Sequence, residues 1–336
     1  MKFDRHIKIV GTGRYIPKRK IEADELDRIL DVPNGTCLQS TGVSTRYWVE
    51  DETSSEMAEL ASRQALERAG LHPEDLDVIV STNGVNQQPI PTGGCLLSEQ
   101  LGLQKTHIPC FDINSSCMSF LQGLDTISYM LEHGRYTTAL VCSSDITSVG
   151  INRKDIKSAP LFGDGAAALV LRKDETGSSG IYLSHIETFS RGAHLSEIRG
   201  GGNKLTAMEY SNETHDNFVY ELHGTAMGRV VFEECKGFFA RALKDHHIAL
   251  KEIVEEVKAI IPHQVSPSFI DLLKRRMNFP NDKLLDLTRT FGNMLSVSIP
   301  LGIDEAISTH RVQRGDSMLL SGGGSGISLG MMYLRY

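Results

Sequence analysis

NSSCMSFLQGLDTI (residues 114–127) and NMLSVSIPLGIDEA (residues 293–306) carry the same pattern at two places in the chain. A shift of 179 residues lays Asn114 on Asn293, Ser119 on Ser298, Gly123 on Gly302 and Asp125 on Asp304. The same shift carries Val78 of DVIVSTNG onto Val257 of EVKAIIPH, and Leu140-Val141 onto Leu319-Leu320. A constant offset across three strand–helix elements points to a duplicated βαβ half. Two such halves are expected to pack about a pseudo-twofold axis, with matching strand ends meeting at the centre.

The segments around this repeat alternate between strand and helix. TSSEMAELASRQALERAG (53–70) offers Thr53 and Glu56 as a capping box and Gly70 as the stop. LDVIVSTNG (76–84), HIPCFDI (107–113), YTTALVCSSD (136–145) and GAAALVL (165–171) read as strands. Between them, Met118 to Leu131 form a helix ending near Gly134. Phe120, Leu124, Ile127 and Leu131 recur at helical spacing, while Leu121 and Met130 fall on other faces, so this helix is expected to be buried all round. The alternation implies an α/β layered fold with largely parallel sheets. From about Ser178 to Gly224 the pattern weakens; RGGGNKL (199–205) and EYSNETHDN (209–217) read as loops that form a lid or cover. A long helix, Thr225 to about His246, follows.

Composition narrows the function. The 336 residues are 40% hydrophobic and 23% charged with a net charge of −7, which argues against a general nucleic-acid binder. Six cysteines (Cys37, Cys95, Cys110, Cys117, Cys142 and Cys235) are dispersed, without a CxxC pair or finger spacing, as suits a reducing cytoplasm. No apolar run approaches the roughly 20 residues that span a bilayer. MKFDRHIKIVGTG (1–13) reads as a first strand, not a signal peptide. Histidines and carboxylates show no metal-ligand spacing, so a metal enzyme is not expected.

Three side chains stand out chemically. Cys117 lies where a strand gives way to a helix, after Asn114, Ser115 and Ser116. On residue type alone it is either a buried core thiol or a nucleophile whose thiolate is favoured by the helix N-terminus. His263 lies in AIIPHQVSPSF (259–269), directly after an apolar strand, and the 179-residue shift puts it at Gly84, the mouth of the matching strand. Asn293 falls at Asn114. Cysteine, histidine and asparagine thus converge from three strand ends, as a nucleophilic constellation requires. SGGGSGISLG (321–330) offers successive backbone N–H groups for an oxyanion hole; it lacks the Lys-Ser/Thr of a P-loop and runs into a strand. Asp164 in FGDGAAALVL (162–171) reads as a turn or loop-bonding residue.

Together, Cys117 in DINSSCMSF, His263 in PHQVS, Asn293 in FGNMLSVSIP and the GGGSG loop resemble β-ketoacyl-ACP synthase III of the thiolase superfamily. IVGTGRYIP (9–17) and LFGDGAAALVL (161–171) are similar to the same family, so the resemblance spans nearly the whole chain. It implies a thiolase fold, five-layered αβαβα, built from a half at 1–175 with the nucleophilic cysteine and a half at 176–336 with the histidine and asparagine. It also implies a cytoplasmic homodimer and a ping-pong Claisen condensation, with acyl-CoA or acyl-ACP and malonyl-ACP as substrates and no cofactor. Cys117 would take the acyl group. The N–H groups of Cys117 and Ser325, beside Gly324, would hold the oxyanion. His263 and Asn293 would bind the malonyl thioester carbonyl as it becomes an enolate.

The chain departs from the family pattern in two places. Members that use acetyl-CoA carry a tryptophan and an arginine ahead of the TG turn; GTCLQSTG (35–42) has Thr36 and Ser40 there, which implies a longer or unusual acyl donor, carried on ACP or on CoA. Lys274, Arg275 and Arg276 in FIDLLKRRMNF (269–279) form a patch suited to acidic ACP or a solvated helix face. Relatives that join two long acyl chains without decarboxylation use a glutamate where QPIPTGG (88–94) has Ile90, so decarboxylative chemistry is expected and Ile90 would reach the partner's acyl tunnel. Three alternatives stand beside this reading: an acyltransferase passing the acyl group to an alcohol or amine, a non-decarboxylating thiolase-like condensation, and a catalytically silent subunit.

Overall fold

Residues that alternate along a strand face opposite layers, and in this protein each layer can be traced from that alternation. The computed structural model describes all 336 residues. The first sheet contains β1 (Ile7–Tyr15), β2 (Val78–Ser81), β3 (Cys110–Asp112), β4 (Thr138–Asp145) and β5 (Gly165–Lys173), in the order β1-β5-β4-β2-β3. The second contains β6 (Gly180–Thr188), β7 (Ala259–Pro262), β8 (Ser317–Gly324) and β9 (Ser328–Arg335), in the order β6-β9-β8-β7. Ile260 also makes a parallel bridge to Leu284, as Ile79 does to Cys110 of β3, so the two sheets repeat each other strand for strand.

The helices complete five layers. α1 (Ser54–Ala69) and α2 (Gly93–Gln100) cover the outer face of the first sheet, where Met57, Ala61 and Leu97 pack on Ile79, Leu140 and Val170. α3 (Ser119–Glu132) and α7 (Ser298–Ser308) lie between the sheets; Phe120, Leu124, Ile299 and Ile303 share one core with Val78, Val80, Ile261 and Leu320. α4 (Gly224–Leu243), α5 (Leu250–Glu256) and α6 (Pro267–Met277) cover the second sheet, with Phe238, Ile253 and Ile270 against Ile260 and Leu319. Removing this much apolar area from water is the main stabilising term, at about 25 cal/mol per Å². The order αβαβα follows directly.

The local signals hold in detail. Thr53 and Glu56 form the capping box of α1, and Gly70 ends the helix at φ 66°. Of the residues in α3, only Tyr129 is exposed. The repeated aspartates of the central helices anchor both to arginines: Arg5 donates to Asp125 at 2.6 Å and Arg68 to Asp304 at 2.6 Å.

Three expectations need correction. The sheets are mixed rather than largely parallel: β2 pairs parallel with β3 and β4, and β7 with β8, while β1–β5, β5–β4, β8–β9 and β9–β6 pair antiparallel. Residues 180–188 form β6, a full strand paired with β9, and only 189–223 follow as short turns and a two-stranded ribbon. The strand was obscured because its second half is only partly buried and its alternation fades after Leu183. The offset of 179 also does not hold throughout. Register pairs Val78 with Ala139 in the first sheet and Ala259 with Met318 in the second, so β4 and β8 keep 179 while β2 and β7 stand 181 apart. His263 therefore matches Thr82 rather than Gly84. A slip of two residues preserves the face of a strand, so the histidine still comes to the central edge.

Candidate active site

Cys117 sits on the short link between β3 and α3. Ser116 takes φ 54°, the left-handed region, and thereby turns the chain between strand and helix. Met118, the residue after Cys117, packs against the β8–β9 hairpin: a Cβ on Gly322 would lie 2.5 Å from its Sδ, and one on Gly330 2.3 Å from its Cε. Those glycines are a bed for the methionine, and the GGGSG motif serves packing here as well as backbone donation. The Cys117 thiol is 7% exposed. Burial pushes its pKa up to about 11, and Asp145 adds to this, while the Ser116 hydroxyl and the N–H groups of Ser325 and Cys117 pull the other way. The helix N-terminus therefore does not leave a thiolate in the free protein, because desolvation outweighs it.

His263 follows β7, with its N–H donating to Ser321 O at 2.8 Å. Its ring is 3% exposed, and burial pushes its pKa down to about 4, so the imidazole is neutral at pH 7. Nδ1 has no protein partner. Gln264, unremarked in the sequence, fixes this turn: Nε2 donates to Pro262 O at 2.8 Å, and Oε1 accepts from Leu287 N at 2.7 Å.

Asn293 is held by two glycine motifs packed backbone to backbone. A Cβ on Gly292 would meet Leu161 O at 2.4 Å, and one on Gly163 would meet Phe291 O at 2.2 Å. The Asn293 N–H donates to Leu161 O at 2.7 Å, and its Oδ1 accepts from Leu295 N at 3.0 Å. The side-chain carbonyl is thus used, and the amide NH₂ remains for the cavity. Asp164 is fully buried and clamps loops by accepting from Val49, Thr147 and Ser148.

Cys117, His263 and Asn293 line one cavity of about 1680 Å³, together with Gly324 and Ser325. Arg275 and Arg276 lie on its wall, joined by Arg229 and Lys236 of α4, which the sequence did not single out. Neighbouring carboxylates are engaged elsewhere: Arg191 takes Glu233 and Glu234 at 3.0 and 2.7 Å, and Arg289 takes Asp271 at 3.0 Å. Tyr220 is a further wall residue missed in the sequence, stacked on Phe162 with ring centroids 4.6 Å apart. It lies in the weakly patterned stretch, where a lone aromatic carried no signal. Lys274 lies off the cavity wall. Ile90 is 84% exposed and outside the cavity of its own chain. Thr36 donates to Pro33 O at 2.5 Å, and Ser40, on the cavity wall, donates to Cys37 O at 3.0 Å and to Ile156 O at 3.1 Å. No cluster of three histidine, cysteine or carboxylate side chains is arranged to hold a metal.

Comparison with known proteins gives a consistent result. Residues 111–190 match the 3-oxoacyl-[acyl-carrier-protein] synthase III family model, and residues 251–336 match the model of its C-terminal part. The chain is 30% identical over 329 residues to β-ketoacyl-[acyl-carrier-protein] synthase III of Vesicomyosocius okutanii, covering 98% of both chains. The crystal structure of 3-oxoacyl-[acyl-carrier-protein] synthase III from Aquifex aeolicus superposes with a TM-score of 0.84 at 28% identity, over 98% of this chain and 100% of that one. The priming β-ketosynthase of a polyketide biosynthetic pathway shares the fold, with a TM-score of 0.86 at 24% identity over 100% and 97% of the two chains. The thiolase-type fold, the cavity chemistry and these likenesses agree: the chain belongs to the β-ketoacyl-[acyl-carrier-protein] synthase III family.

Proposed function

We propose that this protein is a decarboxylating condensing enzyme of fatty-acid or specialised lipid or polyketide synthesis. It would load an acyl group on Cys117 and join it to malonyl-ACP. One observation carries the reading: Cys117, His263, Asn293 and Ser325, drawn from both halves, line a single cavity. In this scheme 1–175 supplies the nucleophile, and 176–336 supplies the residues that handle the second substrate.

In the first step the Cys117 sulfur attacks the donor thioester carbon. The Cys117 and Ser325 N–H groups, which pull the pKa of that sulfur down, hold the oxyanion. The C–S bond of the donor breaks, and the departing thiol takes the Cys117 proton. In the second step the malonyl C–C bond breaks and carbon dioxide leaves. The resulting enolate oxygen accepts from neutral His263 at Nε2 and from the Asn293 NH₂. Its carbon attacks the acyl group, the C–S bond to Cys117 breaks, and the thiol regains a proton from water. Neither His263 nor Asn293 needs to titrate, which suits a histidine whose pKa lies at about 4.

The donor is a longer or unusual acyl group on ACP or CoA. The large cavity supports this, as do the hydroxyls of Thr36 and Ser40, both committed to backbone carbonyls. Arg275 and Arg276, with Lys274 beyond the wall, receive the acidic carrier, and Gly324 lines the cavity beside Ser325. The enzyme is a cytoplasmic homodimer without a cofactor; exposed Ile90 would enter the partner's tunnel, and six free cysteines suit a reducing compartment. Incubation with a panel of acyl-CoAs and acyl-ACPs, followed by intact-mass measurement, tests this. An adduct on Cys117 that is absent in Cys117→Ala is expected, and malonyl-ACP should then release carbon dioxide. Discharge to a hydroxyl or amine acceptor with malonyl-ACP ignored would instead identify an acyltransferase.

A further inference from the structure

Asp145, the last residue of β4, is a fully buried carboxylate to which the scheme above gives no role. Its Oδ1 accepts from Gly84 N and Val85 N, both at 2.9 Å. Its Oδ2 accepts from Ser296 Oγ at 2.6 Å and Ser296 N at 3.1 Å, with Gly84 N also at 3.2 Å. Gly84 and Val85 follow β2 and line the cavity. Ser296 lies three residues beyond Asn293. One carboxylate thus ties the first-half loop at the cavity to the second-half turn that carries the asparagine.

The duplication gives this contact its meaning. β4 and β8 keep the offset of 179, as do α3 and α7, so Asp145 corresponds to Gly324 and Ser296 corresponds to Cys117. At the Cys117 junction the matching strand end is a bare glycine, and the N–H is left open to the cavity. At the Ser296 junction the equivalent N–H is occupied by the protein's own oxygen.

We propose that Asp145 is a positioning residue for the condensation step, holding the turn that aims the Asn293 NH₂ at the malonyl thioester. The inference rests on the roles proposed for Cys117 and Asn293. The Asn293 side chain is oriented through Leu295 N, inside the turn that Ser296 closes onto Asp145. Every donor to Asp145 is an N–H or O–H, and an asparagine there has only one oxygen for two sets of donors. Its NH₂ would face backbone N–H groups, and the turn must shift. Asp145 also places negative charge near the Cys117 sulfur. The titratable groups around that charge are Cys117, Cys142 and Tyr220, and His263 shares the cavity with the thiol.

The experiment compares wild type, Asp145→Asn and Cys117→Ala. It measures Cys117 acylation by intact mass, iodoacetamide alkylation against pH with Cys117→Ala as blank, and steady-state condensation. Asp145→Asn should still acylate, should alkylate with a profile moved to lower pH, and should lose about ten-fold or more in kcat for condensation. An unchanged kcat overturns the proposal, as does a parallel fall of acylation and condensation with no movement of the alkylation profile. If Asp145→Asn does not fold, Ser296→Ala should lower condensation several-fold with acylation intact, and Ser296→Thr should restore it; an unaffected Ser296→Ala then overturns it. An adduct that persists in Cys117→Ala is a separate failure, that of the nucleophile assignment.

Discussion

The junctions that lead into α3 and α7 share a sequence pattern, a backbone turn and a position in the layers, and they differ in their contents. One presents a thiol beside glycines and an open cavity; the other presents a serine bonded to a buried aspartate. Duplication alone would make two equal sites. The difference shows how one copy stays open to the cavity while the other becomes a fixed wall that carries Asn293.

That contrast can be broken most severely at the thiol itself. Cys117→Ala should lower condensation roughly 1000-fold or more, because the other thiol on the cavity wall, Cys235 of α4, is engaged with Met277 at 3.8 Å; a full turnover assay with intact-mass control measures this. Next in size, His263→Ala and Asn293→Ala should each cost about 100-fold or more in condensation while leaving the acyl adduct on Cys117. Equal loss of the adduct in either variant would contradict a division of labour between the halves.

A subtler test makes the open junction resemble the closed one. Gly324→Ala adds a Cβ 3.0 Å from Met118 Cγ and 3.4 Å from Met118 N. Overpacking of this kind costs about 1–3 kcal/mol, so the melting temperature should fall and acylation should slow by ten-fold or more. The smallest expected effect lies at the mouth. Arg275→Glu with Arg276→Glu should raise KM for the carrier protein several-fold, flatten its salt dependence and leave kcat nearly unchanged.

Much of this was legible in the sequence, for identifiable reasons. Thr53, Glu56 and Gly70 declare α1 because capping is local chemistry. The repeat declared the halves because Asn, Gly and Asp recur where backbone geometry and buried charge leave few alternatives. Three things were not legible. The two-residue slip between β2 and β7 is visible only once the strands pair. The raised Cys117 pKa depends on burial by residues far away in sequence, which overrides the helix end that the sequence does show. Asp145 read as the tail of a strand, although its mismatch with Gly324 across the repeat was a signal available to comparison of the halves.

The grip of Gly322 and Gly330 on Met118 has a consequence for the order of events in folding. Met118, the residue next to Cys117, is seated by a hairpin that begins about 200 residues later in the chain. Contacts of such long sequence separation form late, after their loop-closure entropy has been met. Until they form, Cys117 has neither its burial nor the Ser325 N–H. The same hairpin that completes the second sheet thus gives the thiol its surroundings, and a partly folded chain carries an ordinary cysteine where the finished protein has a cavity shared with His263 and Asn293.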